Sequence, residues 1–244
     1  MQTHLSNVTD RFICVPARLV LICGILSLLA GCGDSHQPPR TPETDPATPM
    51  RSAQPVQAEA PDQSGSRGGL TAKIKFKSGD GNTVCSVKPQ DDGAKLVDAS
   101  EKEIARFKLD DSKLKVKDAN DTVLGYVIFT GGKYKIENAD QSEELWKLQP
   151  QEDGDWKLED GADELICKVK KRDYGFEIED AAENSLYKIK LKSGKTSLRN
   201  PSDATVLYTK DRISTMAFTC MGLEAIDQQS MRAALMTMVI LQSH

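Results

Sequence analysis

One polar position recurs at a nearly fixed interval through the middle of the chain. Ser78, Asp98, Asp118, Asn138, Asp160, Asp180 and Asn200 stand 20, 20, 20, 22, 20 and 20 residues apart. Around each of them a run of alternating polar and apolar side chains gives way to a polar turn, and a second alternating run follows. Lys113-Leu114-Lys115-Val116-Lys117 leads into Asp118-Ala119-Asn120-Asp121, and Val123-Leu124-Gly125-Tyr126-Val127-Ile128-Phe129 leads out. Tyr174-Gly175-Phe176-Glu177-Ile178-Glu179 and Leu186-Tyr187-Lys188-Ile189-Lys190-Leu191 flank the turn at Asp180 in the same way. Alternation with a period of two puts the apolar side chains on one face of a strand. Asp and Asn suit the turns because their side chains bond the nearby backbone and tolerate left-handed geometry. Seven such units predict seven β-hairpins, an antiparallel meander of about 12–14 short strands.

Hairpins alone are marginal in water, so the meander must close on itself or pack on something. The C-terminal segment indicates what. A last strand is expected around Met216 to Met221. A helix then starts near Asp227-Gln228-Gln229-Ser230 and continues through Met231-Arg232-Ala233-Ala234-Leu235-Met236-Thr237-Met238-Val239-Ile240-Leu241. Apart from Arg232 and Thr237 this helix is apolar all round, so it must be buried on every side. It is too short to cross a bilayer, which takes roughly 20 residues. An open solenoid would leave it unexplained. The fold class that follows is mainly β: the meander closes as a barrel around the hydrophobic C-terminal helix, which also removes the sheet's exposed edges.

A barrel of this kind resembles the tubby C-terminal-like superfamily, which includes the phospholipid scramblases and the LURP-one-related proteins. The likeness is carried by hairpin units such as Lys115-Val116-Lys117-Asp118-Ala119-Asn120-Asp121-Thr122-Val123-Leu124-Gly125. It is also carried by Leu223-Glu224-Ala225-Ile226-Asp227 leading into the helix through Leu241, and it covers about residues 70 to 241. The resemblance implies about twelve strands and binding to membrane or lipid. It brings no phosphoinositide-binding basic cluster that can be assigned to residues of this chain.

The N-terminal third has a different character. Arg11 and Arg18 precede an apolar run, Leu19 to Ala30, that ends in Leu29-Ala30-Gly31-Cys32. A basic region, a short apolar core and small residues before a cysteine resemble the bacterial lipobox. In that reading residues 1–31 are a signal peptide cleaved between Gly31 and Cys32. Cys32 carries diacylglycerol and a further acyl chain such as palmitate, an effectively permanent anchor. Residues 32–69 then form a stalk: seven of the 11 prolines lie between Gly33 and Gly69, with no aromatic residue. Such a composition cannot offset its ordering entropy and is expected to be disordered, spanning roughly 35 Å. Residues 70–244 form the folded domain. The address is the cell envelope, and Gly33 after the lipidated cysteine favours the outer membrane in a Gram-negative cell, facing periplasm or surface.

After processing, Cys85, Cys167 and Cys220 remain. An oxidising compartment allows one disulfide, with Cys85 and Cys167 as the candidate pair. Three buried thiols behaving as small hydrophobes is the plainer reading.

Several chemistries are excluded. The three histidines, His4, His36 and His244, leave the hairpin region without a histidine base or metal ligand. A non-enzymatic domain with no cofactor and no metal is expected. A carboxylate-based hydrolase is the residual enzymatic alternative, although the acids fall at turns and outward strand positions. Lys192-Ser193-Gly194-Lys195-Thr196 ends like a phosphate loop, but Ile189 stands where the first glycine belongs. Asp118-Ala119-Asn120-Asp121 and Glu152-Asp153-Gly154-Asp155 lack a full calcium ligand set. With 32 basic against 36 acidic residues and no basic stripe, nucleic acid is not an expected partner. Trp146 and Trp156 are expected to pack across strands rather than line a groove. The lysine faces (Lys73, Lys75, Lys77; Lys113, Lys115, Lys117; Lys188, Lys190, Lys192) are read as solvated outer surface, with anionic lipid as the functional alternative. The sequence therefore points to an envelope lipoprotein with a non-enzymatic binding or scaffold domain that meets lipid, glycan or an envelope protein. A phospholipid-binding or membrane-active barrel is the alternative.

Overall fold

A computed structural model describes residues 70–243. The Gly31–Cys32 cleavage site, the lipidation site and the stalk lie outside the described residues. Each of the seven repeat units forms two strands. The first units give β1 (Ile74–Ser78), β2 (Thr83–Gln90), β3 (Gly93–Asp98), β4 (Glu103–Asp110), β5 (Lys113–Asp118), β6 (Val123–Thr130) and β7 (Lys133–Glu137). The remainder give β8 (Glu144–Pro150), β9 (Trp156–Asp160), β10 (Leu165–Arg172), β11 (Gly175–Asp180), β12 (Ser185–Lys192), β13 (Lys195–Arg199) and β14 (Thr205–Thr209). Each strand pairs antiparallel with its sequence neighbours, and β1 pairs with β14 through Lys77↔Tyr208 and Ser78↔Leu207, so the sheet is a closed barrel. The strand number is the fourteen that seven hairpins predict, not the twelve implied by the family resemblance. Among the described residues no strand edge is left open, and the barrel closes around its core with residues 70–243 alone.

The periodic residues open the seven turns at one end of the barrel, here the Asx end. Asp118 shows the device: its Oδ1 accepts the amides of Asn120 and Thr122, both at 2.8 Å. Asp98, Asp160 and Asp180 repeat the two bonds, and Asn200 and Asn138 accept from Ala204 and Ser142. Three residues after the turn opener the backbone is left-handed, with φ of +66° at Glu101, +71° at Asp121 and +61° at Asp203. The ladder then slips by one residue after every one of these turns. One residue is left without a strand partner each time: Val84, Ile104 and Leu124 in the first three units, then Leu145, Ile166, Leu186 and Val206. Such bulges increase local twist and bend the strand, which is what a closing sheet requires.

The chain enters at the opposite end, where β1 begins. There the connections are tight, such as Ser193-Gly194 with φ of +51° and +71°, which suits two-residue hairpins. The longest connection at the entry end, between β8 and β9, is closed by Gln151 N–H on the Asp155 carbonyl at 2.7 Å.

Alternation along the strands points Phe76, Leu96, Phe107, Leu114, Ile136, Leu148, Leu158, Ile178 and Ile189 into the lumen, where all are fully buried. Two helical pieces fill it. The segment expected as a last strand is instead α1 (Thr215–Thr219), continued by a 3₁₀ turn over Cys220–Gly222. The reason is hydrogen bonding: all fourteen strands already have both neighbours, so a fifteenth segment inside the lumen must satisfy its own backbone. Ser214 accepts the Ala217 amide at 3.1 Å and starts the helix. After a reversal at Leu223–Ile226, α2 (Gln229–Gln242) runs back through the lumen. Ala233, Ala234, Leu235, Met236 and Met238 have no exposed surface, and Thr237 hides its hydroxyl by donating to the Ala233 carbonyl at 2.7 Å. Burial at 1.5–3 kcal/mol per large apolar side chain makes this spine a main source of the barrel's stability. Among the described residues no helix is long and apolar enough to cross a membrane.

Candidate binding surfaces

With the lumen packed, contact with a partner falls to the outer wall and the two ends. The buried thiols take no part in it. Cys85 on β2 and Cys167 on β10 stand on nearly opposite sides of the ring, with the helices between, and both are free, as is Cys220. The disulfide considered from the sequence is therefore not formed, since a disulfide needs Cα atoms within about 7 Å. Burial pushes the Cys85 and Cys167 thiols up to about 12. The Gln229 amide donates to Cys85 Sγ at 3.4 Å, a packing contact between α2 and β2. Trp146 and Trp156 pack against the core from β8 and β9, Trp156 with its ring 6.1 Å from Tyr134, as expected of core aromatics.

The lysine faces lie outside the barrel, and they are not equivalent. Lys73 bonds Glu101 at 2.6 Å, Lys117 bonds Asp121 at 3.1 Å and Lys190 bonds Asp203 at 2.7 Å. These carboxylates sit at the left-handed turn position, so each turn reaches sideways to hold a neighbouring lysine. Lys113 and Lys115 instead flank the Tyr126 ring at 5.5 and 5.7 Å. Lys75, Lys77, Lys188 and Lys192 make no ion pair among the described residues.

Closing the barrel brings three of these, Lys75, Lys77 and Lys192, together with Lys195 and Lys210, which are also without ion pairs among the described residues, beside the paired Lys73, Lys190 and Arg199. A groove of about 380 Å³ on β12 and β13 is lined by Tyr174, Lys190, Lys192, Ser193, Lys195 and Arg199, with Leu191 56% exposed on its edge. A second groove, about 350 Å³, lies across β14 and β1 between Lys73, Lys75, Lys77, Tyr208 and Lys210. Tyr208 separates the two, with the Lys195 ammonium 5.0 Å from its ring centroid. Asp211 is the one carboxylate lining them, and it is occupied by the Lys75 amide at 2.7 Å. Lys75, Lys192, Lys195 and Lys210 sit toward the entry end. The sequence reading had missed Lys195, Lys210, Arg199 and both tyrosines. Lys195 lies inside the rejected phosphate-loop look-alike, and Lys77 and Tyr208 become neighbours only when β1 meets β14.

The Asx end has the opposite character. Its turns contribute Asp80, Asp98, Asp118, Asp140, Glu143, Asp160, Glu164 and Asp180, none ion-paired among the described residues. Hydrogen bonds hold several of these carboxyls below their ordinary range: the Ser78 hydroxyl at Asp80, the Thr122 amide at Asp118, the Asn184 side chain at Asp180. Just inside the carboxylates lie the bulge residues, with Val84, Leu186 and Val206 39%, 39% and 40% exposed. Where the α1–α2 reversal reaches this end there is an apolar groove of about 320 Å³ bounded by β10, β12 and Gly222–Ala225. Arg232, near the start of α2, keeps its Nε buried and unpaired.

No protein-family model matches the chain, and no curated protein matches it. Among solved structures, the X-ray structure of a protein from Arabidopsis thaliana is similar at 9% identity with a TM-score of 0.35, over 64% of this chain and 93% of that one.

Proposed function

We propose that this chain is a lipoprotein anchored in the cell envelope through Cys32, and that its barrel is a non-enzymatic binding module for anionic phospholipid headgroups. The observation that carries the reading is the wall formed by β12, β13, β14 and β1. There Lys75, Lys77, Lys192 and Lys195 remain without ion pairs around Tyr174 and Tyr208, and exposed Leu191 stands beside them. Free ammonium groups at hydrogen-bonding height suit phosphate, and each contributes about 1 kcal/mol near an anionic surface. The wall's cations gather toward the end at which the chain from Cys32 enters. A stalk of roughly 35 Å lets the cationic wall reach the membrane in which Cys32 is anchored. A bilayer-binding role is also what the tubby-like resemblance implies.

The carboxylate-based hydrolase alternative draws no support from the acids. A glycosidase-type general acid needs a carboxyl whose pKa is raised. Among the described residues the carboxyls with a resolved shift are lowered, including Glu159 and Glu177 on the outer wall.

The test is co-sedimentation of the barrel, residues 70–244 without lipid or stalk, with vesicles of graded phosphatidylglycerol content. Binding that rises with anionic fraction, falls with salt, and is lost in a Lys75→Glu/Lys195→Glu variant is the expected outcome. Absence of binding at every composition would leave Cys32 as the sole membrane link and turn the search to protein or glycan partners.

A further inference from the structure

The seven bulges put an aliphatic side chain at the same place in every unit, six residues after the turn opener in all but the wider Asn138 unit. Closing the barrel does not require this. A bulge residue has no ladder partner, and a rim position next to solvent would accept Ser, Thr or Lys at lower exposure cost. Ile104, Leu124 and Ile166 do reach the core, but Val84, Leu186 and Val206 stay about two-fifths exposed. Apolar surface is most continuous where Ile166 and Leu186 meet Tyr187, Pro201 and Leu223 around the 320 Å³ groove.

The charge around that groove selects among occupants. The turns beside it, residues 160–164, 180–184 and 200–204, and the reversal at 222–228 contain no lysine or arginine, and the cation nearest to them, Arg232, has its Nε buried behind Tyr187, so the carboxylates outnumber it at the mouth. Asp160, Glu164, Asp180, Glu224 and Asp227 lie there without ion pairs among the described residues. An anionic bilayer would be repelled, and a neutral one would have to desolvate the carboxylates. A basic, apolar polypeptide answers both features: aliphatic side chains fill the groove, and flanking lysines or arginines meet the carboxylates.

We propose that the apolar groove at the Asx mouth, between β10, β12 and the α1–α2 reversal, is a docking site for a partner protein segment that alternates aliphatic and basic residues. The proposal is independent of the cationic wall and would survive the failure of the lipid reading.

The probe is a fluorescent dodecapeptide of alternating lysine and leucine, titrated with the barrel and followed by anisotropy, with lysine–serine and glutamate–leucine peptides beside it. The expected result is saturable binding of the lysine–leucine peptide alone, weakened about tenfold by Leu186→Ser and unchanged by Lys75→Glu/Lys195→Glu. Pro201→Ser, at an exposed residue of the groove lining, is the second variant if Leu186→Ser alters the melting curve. Equal binding by wild type and both rim variants, or equal binding of the lysine–serine peptide, overturns the proposal, because charge alone then suffices. So does self-association of the barrel abolished by Leu186→Ser, which would make a second copy the occupant. Rim-dependent adsorption to neutral vesicles would assign the groove to lipid and overturn it equally.

Discussion

Six of the seven hairpins at the Asx end, all but the one opened by Ser78, depend on two residues with different tasks. The opener ties down amides that the tight turn leaves without partners, and the residue three positions on accepts a left-handed backbone and sends its side chain to a neighbouring lysine. Asp118→Ala removes both amide bonds and should lower the melting midpoint by roughly 2–4 °C, as loss of a helix N-cap does. Asp118→Asn, which keeps an acceptor, should lower it less; a larger loss for Asn than for Ala in thermal unfolding would contradict the role of the acceptor. Thiol chemistry gives a second expectation at this scale. Cys85 and Cys167, with thiols pushed up to about 12, and fully buried Cys220 should resist iodoacetamide at pH 8 in the native barrel and all react in urea. Mass spectrometry reads the count, and labelling of any of the three before unfolding would show a lumen that opens. Which lysines are free was not legible in the sequence at this scale. Lys75 and Lys73 look alike in the alternating run, yet only Lys73 lies within reach of Glu101, 28 residues away.

Hairpins are linked to one another by ion pairs as well as by the ladder. Ammonium hydrogen bonds from Lys73 and then Lys88 pull Glu101 down to about 2, and Lys168 and Lys147 lower Glu183 and Asp163. A carboxyl with a depressed pKa in the fold takes up its proton more readily in the unfolded chain. The stability it provides is complete above the ordinary value near pH 4 and is lost as pH falls toward 2. The urea midpoint should therefore be level from pH 7 to about 5 and decline steadily below; a midpoint flat down to pH 2.5 would mean that the ion pairs are idle. Beside the hairpins, α2 buries Met231, Ala233, Ala234, Leu235, Met236, Met238 and Val239 in the lumen, and Leu235→Ala should cost about 2–5 kcal/mol in urea unfolding. A cost below 1 kcal/mol would indicate a loosely filled lumen. The turn period, the alternation and the all-apolar α2 were readable because each follows from short-range pattern. Met216–Met221 was misread because a brief apolar run has no period to separate strand from helix, and only the absence of a free strand edge decides it. The bulges were present in the sequence as the aliphatic after each turn, but that position also continues the alternation in the next strand.

The extra strands and the misread segment are two sides of one fact about the whole molecule. The sequence pattern predicts one helix in the lumen and about 12–14 strands around it. Here α1 and its 3₁₀ continuation occupy the lumen beside α2, and a lumen holding two helical pieces needs a wider ring. Barrel diameter grows with strand number, so one more hairpin supplies the width. A sequence repeat of this kind suggests a modular array in which units are expendable, as in solenoids, where each repeat contacts only its neighbours. Closure argues otherwise. β1 completes its ladder on β14, and α2 touches strands from β3 to β7 while α1 touches β11 to β13, so five of the seven units rest on one spine and the other two are held between them. Excision of one full period, residues 99–118, keeps every remaining turn and register intact but leaves twelve strands around a plug sized for fourteen. The expected product is a chain without a cooperative thermal transition, with exposed apolar surface that binds 8-anilinonaphthalene sulfonate. A deletion variant that remains monomeric and melts in one sharp transition would show that ring size is not set by the two-helix filling. Excision combined with removal of α1 and its 3₁₀ turn, which shrinks ring and plug together, should recover more structure than either change alone.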